Sequence, residues 1–287
     1  MQTSLPLAAI TDEFSPDLEK AAAAMAAIGM TGAELRVISG KNILDLTDDE
    51  VDRACAVLRA HGLSTISLSS PLLKCVLPDA PPLDTRFQHD VFASKHTFED
   101  QPRLTRRAFD VAHKTGARVI RVFSYWRTEQ PEKCLDRIVE AVDRLATQAA
   151  KEDLIIGLEN EHACNISTAA DTARVLAATS NPNLQVVWDA ANALIAGETP
   201  FPDGYRKLPA ARIAHVHAKD CYLEGIKPVW GPVGTCAVDW RGQFAALLAD
   251  GYRGAVSLET HWPGPAGDKL QASTICGWNL RYLLAKI

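Results

Sequence analysis

Four apolar runs in the second half of the chain each stop at a side chain that can hold a metal or move a proton. They are "GLE" ending at Glu159, "VWD" at Asp189, "HVH" at His217 and "SLE" at Glu259. Singly, each has an ordinary explanation. An acidic residue at a strand end is often a helix N-cap or a solvated loop charge. Residues two apart on a strand share a face, so His215 and His217 point the same way and can be a hydrogen-bonded core pair. Together they pose an electrostatic problem. Carboxylates converging in a partly buried mouth repel one another, and burying them unpaired is costly. One divalent cation resolves it, with neutral His217 as the fourth ligand. The donor set is oxygen-rich and fairly hard, so it suits Mn2+ or Mg2+ first, with Zn2+ and Co2+ as further candidates. The absence of thiolates argues against a structural zinc.

Such a centre has a recognisable chemistry. A cation holding two adjacent oxygens of a hydroxy-ketone acidifies the C–H between them and stabilises the ene-diolate. A carboxylate takes the proton. Its return on the other face of the same carbon is epimerisation, and its return at the neighbouring carbon is isomerisation. A leaving group β to the carbonyl gives a lyase or dehydratase instead, acting on a keto-sugar or keto-cyclitol.

The elements that must position these residues recur eight times. Apolar runs at 5–10, 32–38, 63–70, 117–124, 154–159, 184–189, 212–217 and 254–259 alternate with helical stretches. Helices are predicted from Ser15 to Ile28 with Ser15-Pro16 as the start, and from Thr47 to His61 with Thr47 and Glu50 as a capping box. Further helices are predicted over 101–115, 131–151, 167–178, 240–250 and 269–285, with a looser stretch after Asp189. The runs are apolar throughout, as in a parallel sheet buried on both faces. Eight such units in 287 residues predict one closed (β/α)8 barrel, a TIM barrel, as a single domain over 1–287. In such a barrel the carboxyl ends of the strands meet on the face where active sites sit. An open doubly wound sheet would favour a glycine-rich turn after the first strand, and "AITDEFSP" has none. Gly157, Val187, His215 and Ser257 lie two residues before the four run ends, and their small members predict room around the site.

Composition narrows the partners. The chain is 47% hydrophobic, carries a net charge of −5 and has no long uninterrupted apolar run. That excludes a membrane span and leaves no basic stripe for nucleic acid. Seven scattered cysteines without a CxxC pair predict reduced thiols in a cytoplasmic setting. The expected partner is a small carbohydrate, and a homo-oligomer is left open.

The segments "GLENE" (157–161), "VVWDAAN" (186–192), "HVHAKD" (215–220), "GPVGT" (231–235) and "VSLETHW" (256–262) carry a resemblance, joined in the first half by "GAELR" (32–36) and "SLSSPLLK" (67–74). With them the chain resembles the sugar phosphate isomerase/epimerase family with the xylose-isomerase-like barrel, a group that includes tagatose epimerases and inosose-processing enzymes. The resemblance implies a metal held by Glu159, Asp189, His217 and Glu259, with the two glutamates also flanking the substrate and moving protons. Position agrees: the fifth and eighth strands approach a substrate from different sides, and Asp189 and His217 suit the floor between them. Some epimerases carry a substrate-binding His three residues after the sixth-strand Asp, where this chain has Asn192.

Further polar residues fall near strand ends. Glu34 and Arg36 are either an internal ion pair or contacts to sugar hydroxyls. Arg121 needs a partner in its apolar strand, either the carboxylates or a substrate oxygen. Lys219 reaches the pocket or is a surface ammonium. Trp262, after His261, is a sugar-stacking wall or packing. Asn192 joins the substrate-binding candidates, and His215 stands behind the metal ligands. Lys74, Trp126 and Glu161 are weaker candidates. The Pro-rich tract 77–90 is a lid or a solvated excursion. "GPVGT" either offers backbone N–H groups to a phosphate or is a turn. The leading expectation is a metal-dependent sugar or keto-polyol isomerase/epimerase. An abasic-site endonuclease would need more metal ligands and a basic face, and a non-catalytic sugar-binding barrel would not need all four ligand residues.

Overall fold

The computed structural model describes residues 5–87 and 95–287. Eight parallel strands close into a barrel. They are β1 (Leu7–Ile10), β2 (Gly32–Leu35), β3 (Ser64–Leu68), β4 (Val119–Val122), β5 (Ile155–Glu159), β6 (Leu184–Asp189), β7 (Ile213–Ala218) and β8 (Val256–Leu258). Closure is made by β8, which pairs with β7 and places Val256 opposite Leu7 of β1. Apart from the first half of β3, the strands are almost wholly buried, which is why the sequence runs are apolar on both faces.

The outer ring is α1 (Leu18–Ile28), α2 (Asp48–Ala60), α3 (Gln101–Thr115), α4 (Leu135–Ala150), α5 (Ala169–Ala178), α6 (Ala190–Ile195), α7 (Trp240–Ala249) and α8 (Lys269–Leu284). Local chemistry sets their ends. Thr47 and Glu50 form both halves of the capping box on α2. Thr168 and Asp171 repeat it on α5. The start of α1 differs from the Ser15-Pro16 expectation. Asp17 is the cap, accepting from the Glu19 and Lys20 N–H groups, while Ser15 Oγ accepts from Asp17 N–H. The Asp17 carboxylate takes the cap position and satisfies two orphan donors at once.

Register brings the run ends together. Between Val186 and Val187 the pairing of β6 with β7 shifts, so that Val187 faces His215 and Asp189 faces His217. Gly157 does not open space for a ligand, as its small size suggested. A Cβ there would lie 2.6 Å from Val187 Cγ2 and 3.1 Å from Val119 Cγ1. The missing side chain is filled by barrel packing. Gly157→Ala is therefore expected to destabilise by about 1–3 kcal/mol through overpacking. Urea unfolding checks it, and an unchanged midpoint would show that the barrel interior yields freely.

Two excursions decorate the carboxyl-end face. After β2, Val37–Ile38 pairs with Lys41–Asn42. After β7, Asp220–Glu224 pairs antiparallel with Lys227–Gly231 around Gly225 at φ 65°. This second hairpin was not anticipated between the seventh strand and α7. The Pro-rich tract 77–90 contains a short helical turn at Thr85–Phe87, and its residues 88–90 lie outside the described ones. Among the described residues no helix is long and apolar enough to cross a membrane. All seven cysteines are free thiols.

Candidate active site

Glu159 ends β5, Asp189 ends β6, His217 lies on β7 and Glu259 follows β8. One ligand atom from each falls within 4.8 Å of the other three, and all four residues are buried. At metal–ligand distances of about 2.0–2.2 Å, opposite ligands of one cation stand about 4.4 Å apart. The cluster therefore fits a single divalent cation after small adjustments. A second observation supports the fit. Asp189 Oδ1 caps α6 by accepting from Asn192 N–H at 2.8 Å, whereas Asp189 Oδ2 is buried without a hydrogen bond. The cap explanation and the ligand explanation thus take one oxygen each. Asp189 Oδ2 lies 2.9 Å from Lys219 Nζ, a charge contact without hydrogen-bond geometry.

The imidazole of His217 is oriented from both sides. Its Nδ1 faces Glu159 at 3.1 Å and Glu259 at 3.6 Å, and its Nε2 faces Glu34 at 3.1 Å. Nδ1 is thus the nitrogen that would face a cation in the cluster. Nε2–H donates to a buried carboxylate, the arrangement that fixes tautomer and basicity in metal-bound histidines. Glu34 also takes His215 Nε2 at 2.9 Å and Ser69 Oγ at 2.6 Å. Burial alone would raise the Glu34 pKa, but His217 and His215 hold it well below the usual carboxylate range.

Charge balance does not rest on a divalent cation alone. Three further cations, all at most 5% exposed, are folded into the cluster. Arg121 donates to Glu159 Oε2 at 2.8 Å. Lys219 Nζ donates to Glu259 Oε2 at 2.6 Å. Arg36 donates to Glu259 Oε1 at 3.1 Å and also binds Asp12 and Glu13 beyond β1. Against the cost of burial, Asp189 and Glu259 raise the Lys219 pKa well above its ordinary value, so it stays an ammonium. Burial is likewise overcome at Glu159 by His217 and Arg121, and at Glu259 by Lys219 and His261, so both remain carboxylates. Asp189 is the exception. Burial, with Glu259 and Glu159 nearby, outweighs Lys219 and pushes its carboxyl up to about 6.

A cavity of about 680 Å³ opens beside the cluster. Of the residues read from the sequence as substrate contacts, Arg36 and Arg121 line it. Glu34, Asn192 and Lys219 are buried and do not line it, and of the four cluster residues Glu259 does. Asn192 joins the cluster instead, donating to Glu159 Oε1 at 3.4 Å. Trp262 is part-buried against the core. Trp230, from the unanticipated hairpin, lines the cavity with its ring 4.4 Å from that of His261. Sequence reading also passed over Asp12, Glu13 and His162. His162 would have been found by its place beside Glu161, and Trp230 by the alternation on either side of Gly225. In the "GPVGT" loop Gly234 N–H donates to Asp220 at 2.9 Å and Thr235 N–H to Pro232 O at 3.1 Å, and the next residue, Cys236, also donates to Asp220 at 3.1 Å. Those donors are not presented to a phosphate.

The proton states give a testable sign. Cation binding needs Asp189 ionised and His217 neutral. Asp189 titrates near 6, and Glu34 and Glu159, working against burial, raise His217 well above its ordinary value. Both protons must leave, so affinity rises with pH. Between pH 7 and pH 5, Asp189 alone should weaken Mn2+ binding about tenfold, and His217 steepens the fall. Calorimetric titration across this range checks it, and a flat profile would contradict the ligand assignment.

The closed parallel barrel and the buried carboxylate–imidazole cluster at its carboxyl end define a (β/α)8 barrel with a candidate metal centre. The chain belongs to the xylose isomerase-like TIM barrel family, whose profile matches residues 22–278. Solved structures agree on the fold. The IolI protein with a bound zinc atom superposes with a TM-score of 0.74 at 17% identity, covering 98% of this chain and 99% of that one. D-allulose 3-epimerase from Methylomonas sp., solved with D-allulose, gives 0.68 at 19% identity over 99% and 98%. A xylose isomerase-like TIM barrel/4-hydroxyphenylpyruvate dioxygenase fusion protein gives 0.72 at 20% identity over 98% of this chain, which spans 43% of that fusion. No curated protein matches the chain.

Proposed function

We propose that the chain is a divalent-metal-dependent isomerase or epimerase of sugars or keto-polyols that moves a proton on a carbon next to a carbonyl. The observation that carries this reading is the gathering of Glu159, Asp189, His217 and Glu259 within 4.8 Å at the strand ends, beside a cavity large enough for a small polyol. A bound divalent cation would polarise the substrate carbonyl and stabilise charge on its oxygens as the neighbouring C–H ionises.

The protein's own groups do the rest. Glu159 and Glu259 are carboxylates at neutral pH, fixed by Arg121 and by Arg36 with Lys219. Glu259 lines the cavity and Glu159 is buried at the end of β5, across β6 and β7 from it, so the two would approach a substrate from different sides, one to take the proton and the other to return it. Arg36 and Arg121 line the cavity, so both can hold substrate oxygens while holding the glutamates. Lys219, an ammonium, can donate a proton but not abstract one. Asp189 and His217 would hold the cation, with Glu34 and His215 behind the imidazole.

The test is a screen of ketoses and keto-cyclitols in D2O with Mn2+-loaded and chelated protein. Deuterium should enter at one carbon with no other change in substrate composition, in the loaded protein only. Loss of water or of an aglycone would assign the lyase chemistry to the same cavity. Deuterium entry unaffected by chelation would remove the metal from the scheme.

A further inference from the structure

The cavity is larger than the chemistry above needs. Its volume is about 680 Å³. A ketohexose displaces on the order of 200 Å³, the share of about six or seven liquid waters. Much of the surplus is walled by the hairpin after β7. That ribbon starts where Asp220 pairs with Gly231 and turns at Gly225 and Ile226. Trp230, Pro228 and Ile226 line the cavity in that order from base to tip. The Trp230 ring stands at the cluster end, 4.4 Å from the His261 ring and 6.0 Å from Lys219 Nζ. Cross-strand partners and residues two apart share a face, so Trp230 and Pro228 lie on the face of Cys221 and Leu223. Tyr222 and Val229 take the opposite, exposed face. Ile226 is 53% exposed in a turn that begins with Gly225 at φ 65°, a place where polar residues are usual. Val37, on the excursion after β2, and Ile195, at the end of α6, add apolar lining.

We propose that the substrate of this cavity is a sugar or polyol that carries an apolar ring, as an aryl glycoside does, with the ring along Trp230, Pro228 and Ile226. The proposal rests on the proton-transfer reading for the sugar end and adds the class of its substituent. Arg36, Arg121 and Glu259 offer the sugar oxygens their partners at the strand ends. Beyond them a bare monosaccharide would leave the apolar strip against water. A ring laid there removes both apolar surfaces from water and packs on the Trp230 indole. Lys227 also lines the cavity and is exposed beside the tip, so an anionic substituent is the competing occupant.

The experiment is calorimetry with Mn2+-loaded and with chelated protein. It compares methyl with phenyl β-glucosides, β-galactosides and α-mannosides, so that only the substituent changes within a pair. These glycosides are binding probes and lack the carbonyl that turnover needs. A ring buried on such a strip corresponds to about tenfold in affinity. The best-bound sugar should show at least that phenyl-over-methyl ratio, with metal or without, because the strip supplies no cluster ligand. Trp230→Leu, still apolar where it meets the core, should cut the ratio about threefold or more. Ile226→Asn, a change at the exposed turn, should lower it with the methyl glycoside unaffected. A ratio near one overturns the proposal, as does the failure of every pair to bind. So does a ratio that neither substitution changes, since the ring then lies elsewhere. Equal losses for methyl and phenyl glycosides in Trp230→Leu, with no effect of Ile226→Asn, would make Trp230 a platform for the sugar itself and overturn it too. Glucose 6-phosphate binding tighter than phenyl glucoside, with the gain lost in Lys227→Met, would replace the apolar ring by an anion. Failure of the proton-transfer reading would show separately, as absent deuterium entry in the ketose screen with the phenyl preference intact.

Discussion

Glu159→Gln and Glu259→Gln should each lower turnover by at least about two orders of magnitude, the ordinary contribution of a positioned base. The substitution keeps size and one oxygen ligand, so part of the Mn2+ affinity should survive in both variants. Each also cuts a defined contact, Arg121 at 2.8 Å for Glu159 and Lys219 at 2.6 Å for Glu259. The readout must therefore separate chemistry from assembly. Solvent deuterium exchange into substrate does so: it should persist in one variant only, if one glutamate abstracts and the other delivers. Near-normal turnover in either variant would eliminate the two-glutamate scheme. Lys219 could not inherit the base role without first losing its proton, because Asp189 and Glu259 hold it as an ammonium against burial.

Removing the Asp220 carboxylate should produce the largest loss of stability. Asp220 is 1% exposed and accepts four backbone N–H groups: Cys221 at 3.0 Å, Val238 at 3.0 Å, Gly234 at 2.9 Å and Cys236 at 3.1 Å. It ties the hairpin after β7 to the loop that leads into α7. Asp220→Ala leaves these donors without their acceptor, at about 1–3 kcal/mol for each that water cannot reach. An overall loss of about 3–5 kcal/mol in urea unfolding is expected, with hydrogen-exchange protection falling first across 220–238. Asp220→Asn, which keeps one acceptor oxygen, should lose less. A loss under about 1 kcal/mol for Asp220→Ala would mean that the loop is held by its own turns.

Much of the barrel was legible because its strands are buried on both faces. The β6 boundaries, Leu184–Asp189, match the apolar run residue for residue. The run at 32–38 was too long because Arg36 leaves β2 to bind Asp12, Glu13 and Glu259, contacts that sequence separation hides. The convergence of the four run ends was legible for a geometric reason, since parallel strands share one carboxyl end. Their neutralisation was not. A lysine two residues after His217 reads equally as surface or site, and only the fold turns Lys219 inward onto Asp189 and Glu259. Trp262 was singled out over Trp230 because it stands near Glu259 in the chain, whereas the hairpin that carries Trp230 over the cavity is a tertiary event.

The pairing of β8 with β1 bears on how the protein is made. Ala8 and Ala9 of β1 stand opposite Ser257 and Leu258, close to 250 residues later in the chain. At about 5–20 residues per second, a ribosome needs roughly 12–50 s to supply the closing strand after the opening one. Throughout that interval one edge of β1 lacks its partner, and an unpaired strand edge can recruit a strand of another chain. Arg36 and the acids after β1 are already synthesised, but Glu259 is not, so the charge network of the cluster is completed only with the last strand. Synthesis therefore orders assembly: the carboxyl-end face is finished at the moment the barrel loses its open edge.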